Sequence, residues 1–100
     1  MGKPENQIES ILCEGVKRLG GKAYKLISPG CGGMPDRLVC FPNGRTVFVE
    51  LKSPKGRLSK LQEHRIGELE KLRQAVWVLS TPEQVKIFLH EMRGVIRGDI

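Results

Sequence analysis

The stretch MPDRLVCFPNGRTVFVELK, residues 34–52, decides how this chain is read. Two β-rich runs, Arg37 to Phe41 and Arg45 to Leu51, flank Pro42-Asn43-Gly44, and Asn-Gly between such runs is the strongest local signal for a hairpin. Along the second run the pleat sends Val47, Val49 and Leu51 to one side and Phe48, Glu50 and Lys52 to the other. Asp36 stands 14 positions before Glu50. Folding the hairpin returns the start of the first strand to the level where the second ends, so Asp36 meets Glu50 with Lys52 beside it.

Two converging carboxylates with a lysine have two readings. One is an oxygen-ligand site for a hard divalent cation, Mg²⁺ or Mn²⁺, that could orient water and neutralise charge on a phosphate. The other is an ordinary salt-bridge network.

Outward from the hairpin, the remaining elements follow from periodicity. Ile8, Ile11, Leu12, Val16 and Leu19 recur at threes and fours and mark an amphipathic helix from Glu5 to Leu19, stopped by Gly20-Gly21. Ala23 to Ile27 is a short strand candidate. Ser28 to Gly33, dense in glycine with Pro29, is a loop whose backbone N–H groups could approach phosphate, or a plain turn. Ser59 caps a helix reaching to about Gln74, with Leu61, Arg65, Ile66, Leu69 and Leu72 at helical spacing. Ala75 to Leu79 reads as a buried strand. Thr81 or Ser80 then caps a last helix with Pro82 in its first turn and Val85, Ile87, Phe88 and Leu89 on its apolar side. The tail from Gly94 to Ile100 lacks periodicity and is expected to fray. The order is α-β-β-β-α-β-α, an α/β protein with a mixed sheet, in a single domain spanning residues 1–100.

The chain carries 17 Lys and Arg against 11 Asp and Glu, a formal charge of +6 that favours a polyanionic partner. Lys52, Lys55, Arg57 and Lys60 follow the acidic strand end with no acid between them. Placed there, with Arg37, they would draw a phosphate backbone towards the carboxylates. The aromatic residues, Tyr24, Phe41, Phe48, Trp77 and Phe88, fall mostly in apolar elements, and no base-reading helix stands out. Recognition of backbone and shape is therefore expected rather than of sequence. His64 and His90 lie on helices at no metal-ligand spacing and are read as surface residues.

Three cysteines without CxxC spacing suggest neither a disulfide framework nor zinc, and fit a reducing cytoplasm. Cys13 and Cys40 are expected in the core, and Cys31 at the surface. No apolar run approaches the roughly 18 residues of a membrane span, and the first residues lack both the apolar core of a signal peptide and a myristoylation Ser or Thr at Asn6.

Pro35-Asp36, a hairpin-sized gap and Glu50-Leu51-Lys52 resemble the PD-(D/E)XK nuclease signature. A wider set, Ile8-Glu9, Gly20-Gly21, GMPDR from Gly33, FVELKS from Phe48, GRLS from Gly56, and Gln62, resembles the VRR-NUC domain in its stand-alone phage or bacterial form. The resemblance implies a restriction-endonuclease-like core and a metal-dependent DNA endonuclease, in the host cytoplasm if phage-encoded. By analogy with junction resolvases it implies a homodimer acting on branched DNA such as Holliday junctions or flaps, with no small-molecule cofactor. It makes Asp36 and Glu50 metal ligands, with the Leu51 carbonyl joining them. Lys52 becomes the cation that positions the attacking water. An acid of the first helix often completes such sites; Glu9 is the choice here and Glu5 a weaker one.

Gln62 has two readings. With Ser59 it completes a Ser-x-x-Gln capping box; by resemblance it lines the active site. One side chain is not expected to do both. The rival to the whole functional reading is a non-catalytic, basic nucleic-acid-binding module.

Overall fold

The computed structural model describes residues 4–98, with side chains from Gln7 onward. The elements are α1 (Pro4–Arg18), β1 (Lys22–Lys25), β2 (Arg37–Cys40), β3 (Thr46–Leu51), α2 (Lys60–Lys71), β4 (Val76–Leu79) and α3 (Pro82–Arg97), in the expected order. Four strands form one sheet in the order β1-β2-β3-β4. The first three pair antiparallel and β4 lies parallel to β3, with α2 as the crossover between them.

The hairpin forms as the Asn-Gly signal requires. Gly44 adopts φ 85°, the Asn43 side chain accepts from Arg45 N–H at 3.1 Å, and Phe41 N–H donates to the Arg45 carbonyl at 2.8 Å. The β2–β3 register pairs Arg37 with Val49. One step further, the same register sets Asp36 opposite Glu50.

Val47, Val49 and Leu51 lie on one side of β3 and are buried with Val39 and Phe41 under Ile8, Leu12 and Val16 of α1 and Val85, Phe88 and Met92 of α3. Burial of this kind stabilises by about 1.5–3 kcal/mol for each large apolar side chain. Trp77 meets Phe88 edge-on, with centroids 5.1 Å apart. A Schellman motif ends α1: Gly20, at φ 86°, donates to the Lys17 carbonyl and Gly21 N–H to that of Val16, both at 2.9 Å.

Several expectations need correction. The strand read as buried, β4, is a sheet edge whose Val78 is 39% exposed, because only one neighbour covers it. No residue of α2 is buried, despite its helical spacing of leucines; Leu61 and Leu72 are exposed. On α3 the inward positions are 85, 88 and 92, so Met92 is core while Ile87 faces outward. The helix also continues past Gly94: Val95 and Ile96 pack on the core, and Gly98 closes it in the left-handed region. Asp99 and Ile100, like Met1 to Lys3, lie outside the described residues. All three cysteines are half-buried, so Cys13 and Cys40 border the core rather than fill it, and Cys31 is not fully exposed.

Candidate active site

Glu50 is the only buried polar or charged residue among those described, at 1% exposure. It projects from β3 on the side opposite Val49 and Leu51, and α2 covers it. Its Oε2 accepts from Gln62 Nε2 at 3.0 Å and faces Lys52 Nζ at 3.5 Å. Its Oε1 is buried with no hydrogen-bond partner. Burial pushes the Glu50 carboxyl above its ordinary pKa, and the neighbouring Asp36 charge adds to the rise; Lys52 pulls in the opposite direction. A charged oxygen left unbonded in such a place is costly unless something absent from the chain itself completes it.

Asp36 follows the buried Pro35 and stands at the sheet end, where its Oδ2 accepts from Leu51 N–H at 3.0 Å. Its own carbonyl accepts from Leu26 N–H at 2.8 Å, which ties the acid's backbone to the chain beyond β1. Asp36 is thereby held against the strand that carries Glu50 and Lys52. The structure brings these three together with Gln62, as the hairpin argument requires.

Gln62 performs both tasks that seemed exclusive. Its Oε1 accepts from Ser59 N–H at 2.9 Å, Ser59 Oγ accepts from Gln62 N–H at 3.0 Å, and its Nε2 reaches Glu50. An amide has two ends, so the carbonyl caps α2 while the amine holds the buried carboxylate. The start of α2 is thus fixed to the site by one side chain.

Glu9 is placed differently. It pairs with Arg37 Nη2 at 3.2 Å and is half-exposed, while Arg37 Nη1 donates to the Ala23 carbonyl at 3.2 Å. Among the described residues no group of three or more His, Cys, Asp or Glu side chains gathers as a metal cluster. Glu9 therefore does not complete a three-acid set with Asp36 and Glu50, and the Glu5 side chain lies outside the described residues. Arg37, expected on the DNA, has a side chain only 12% exposed and is engaged inside the protein. Lys55, Arg57 and Lys60 are exposed and make no ion pair among the described residues.

The glycine loop has a packing reason that the sequence reading missed. Gly33 sits at φ 79°, and a Cβ there would come within 2.7 Å of the Leu61 carbonyl oxygen. Arg65, whose Nε donates to the Gly32 carbonyl at 2.9 Å, fastens the loop to α2. Arg65 also pairs with Glu68 at 2.7 Å and holds that carboxyl below its ordinary pKa. His64 is exposed beside the same acid, at 3.4 Å.

The donors present suit a hard cation: a buried carboxylate with an oxygen that has no partner among the described residues, and a second carboxylate close enough to raise its pKa. A mixed sheet with this acid pair and lysine at the end of its central hairpin defines a PD-(D/E)XK-type nuclease fold. The family model of the VRR-NUC domain matches residues 5–81, and the chain belongs to that family. It is 42% identical over 79 residues to "Putative nuclease p44" of Acyrthosiphon pisum secondary endosymbiont phage 1, covering 79% of this chain and 85% of that protein. A solved VRR-NUC domain superposes with a TM-score of 0.84 at 28% identity, over 89% of this chain and 97% of the other. Among the described residues no helix is long and apolar enough to cross a membrane.

Proposed function

We propose that this nuclease-family domain is a Mg²⁺- or Mn²⁺-dependent DNA endonuclease that hydrolyses phosphodiester bonds and selects branched DNA, such as four-way junctions or flaps, by shape. The observation that carries the reading is the buried Glu50 Oε1, unbonded and next to Asp36. A structural salt bridge would satisfy that oxygen from within the chain. Asp36, Glu50 and the Leu51 carbonyl would hold the ion, which would supply charge neutralisation at the phosphate and a more acidic water. Lys52 would position the attacking water and stabilise charge on the phosphate from its place 3.5 Å from Glu50 Oε2. Gln62 keeps the Glu50 carboxylate oriented while capping α2. Exposed Lys55, Arg57 and Lys60 draw the backbone in without reading bases. A homodimer acting in the cytoplasm suits the reading, since a two-fold pair offers two equivalent cuts where one small domain offers one.

One observation favours a non-catalytic basic binding module instead: among the described residues no third acid joins Asp36 and Glu50. Cleavage of labelled duplex, flap and four-way-junction DNA by wild type and Lys52→Ala, each with EDTA, Mg²⁺ or Mn²⁺, separates the two. Metal-dependent products that vanish in the variant support the nuclease. Intact DNA under every condition, with the protein folded, supports the binding module.

A further inference from the structure

A second cluster of cations lies away from the site, where α1 crosses α3. The helices approach closely at Gly15, where a Cβ would come within 2.2 Å of Leu89 Cδ1. Absence of a side chain at Gly15 therefore sets this crossing. One turn on, Arg18 leaves α1; one turn on from Leu89, Arg93 leaves α3, with His90 between them. Together with Leu19 these residues line an open cleft of about 320 Å³ that has an apolar floor and a cationic rim. No acid is among its lining residues. Arg18 and Arg93 are exposed and make no ion pair among the described residues, although Glu14 lies one turn before Arg18 and Glu91 beside His90. Like charges gathered without an acid repel one another, and a polyanion relieves that repulsion.

The cleft also has a defined place relative to the chemistry. Glu9, on α1, is tied to Arg37, the neighbour of Asp36. Arg18 is nine residues further along the same helix, roughly 14 Å at 1.5 Å per residue. Successive phosphates of one strand are about 3.4 Å apart along the duplex axis, so the cleft is set too far along α1 to hold the immediate neighbour of a phosphate at the Arg37 end.

We infer that the Arg18–His90–Arg93 cleft is a second phosphate-binding site, which holds the DNA backbone of a second arm while the first arm occupies the Asp36–Glu50 site. The inference rests on the proposed DNA-cleaving function and adds to it the means by which a small domain could prefer a branched substrate. A contact made by exposed cations to a phosphate weakens as salt rises.

The test is binding of labelled four-way junction and plain duplex to wild type and to the double variant Arg18→Gln/Arg93→Gln. It is run in EDTA over a salt series, with Lys71→Gln as a single-charge control. The double variant is expected to lose at least tenfold in junction affinity and less in duplex affinity. Its slope of log K against log salt should fall by roughly 1.8, at about 0.9 per lost phosphate contact. Unchanged junction affinity and slope would overturn the cleft as a phosphate site. Equal losses on both DNAs would overturn the second-arm assignment, and loss caused by inorganic phosphate competing at millimolar concentration would assign the cleft to free phosphate instead. Wild type that binds duplex while the variant loses nothing sinks only this inference; wild type that binds no DNA sinks the proposed function with it. A second variant, Arg93→Glu, repeats the test with one exposed residue changed.

Discussion

The two faces of the sheet solve opposite problems. Beneath α1 and α3, Val39, Val47 and Val49 are 0% exposed and make a dry core with Phe88. On the other face α2 buries none of its own residues, yet it covers Glu50, the one buried charge among the described residues. Alternate residues of β3, Val49 and Glu50, thus serve stability and chemistry from the same six-residue strand. The first face gains by excluding water and leaving no polar atom behind. The second keeps a carboxylate oxygen with no partner among the described residues, at a cost in folding free energy that the proposed cation would offset.

The sharpest way to break this comparison is to neutralise the buried acid. Glu50→Gln should lower DNA cleavage on the order of a thousandfold, since several kcal/mol of transition-state stabilisation depend on the ion that it would hold. Its thermal midpoint in EDTA should be no lower than that of wild type. On the dry face the pattern reverses. Phe88→Ala should destabilise by about 3–5 kcal/mol in urea unfolding, while single-turnover cleavage by the fraction still folded stays near wild type.

A pH series sharpens the contrast. Glu50 titrates above its ordinary value of 4.5 because burial, and then Asp36, penalise its charge. A carboxyl with a raised folded pKa adds stability below its unfolded value and loses that contribution as pH rises through the folded one. In EDTA, wild type should therefore lose stability relative to Glu50→Gln as pH climbs above about 4.5, the ordinary value. Parallel stability curves for the two proteins would contradict a strained acid at this position.

Smaller effects come from the helix that joins the faces. Ser59→Ala removes the hydroxyl that accepts from Gln62 N–H and should cost about 1 kcal/mol. Gln62→Ala should cost a similar amount and also reduce cleavage, because it frees Glu50 as well as the cap. Arg73, after α2, is held at φ 62°, a conformation that costs residues with a side chain about 1–2 kcal/mol. Arg73→Gly should raise stability by roughly 0.5–1 kcal/mol once glycine's larger backbone entropy is deducted.

Much of this was legible because the signals are local. Asn43-Gly44 fixes the turn, the turn fixes the register, and the register sets Asp36 opposite Glu50. What escaped depends on contacts distant in sequence. A continuous apolar run from Ala75 looks the same for a central strand as for an edge, and only the topology makes β4 an edge. The inward side of α3 is decided by what it packs on, so Met92 and Val95 could not be separated from Ile87 by composition. Arg37 carries a charge suited to DNA, but its partner Glu9 comes from another element 28 positions earlier. The double use of Gln62 was hidden because a capping box predicts one end of the amide and leaves the other unassigned.

Titration of Mn²⁺ into the wild type and into Glu50→Gln, followed by calorimetry at neutral pH, tests most directly whether the strained face is built for a cation. Saturable binding to wild type that weakens at least tenfold in the variant is the predicted result. Equal binding to both proteins, or none to wild type, would contradict the account and leave Glu50 as a buried salt-bridge partner of Lys52.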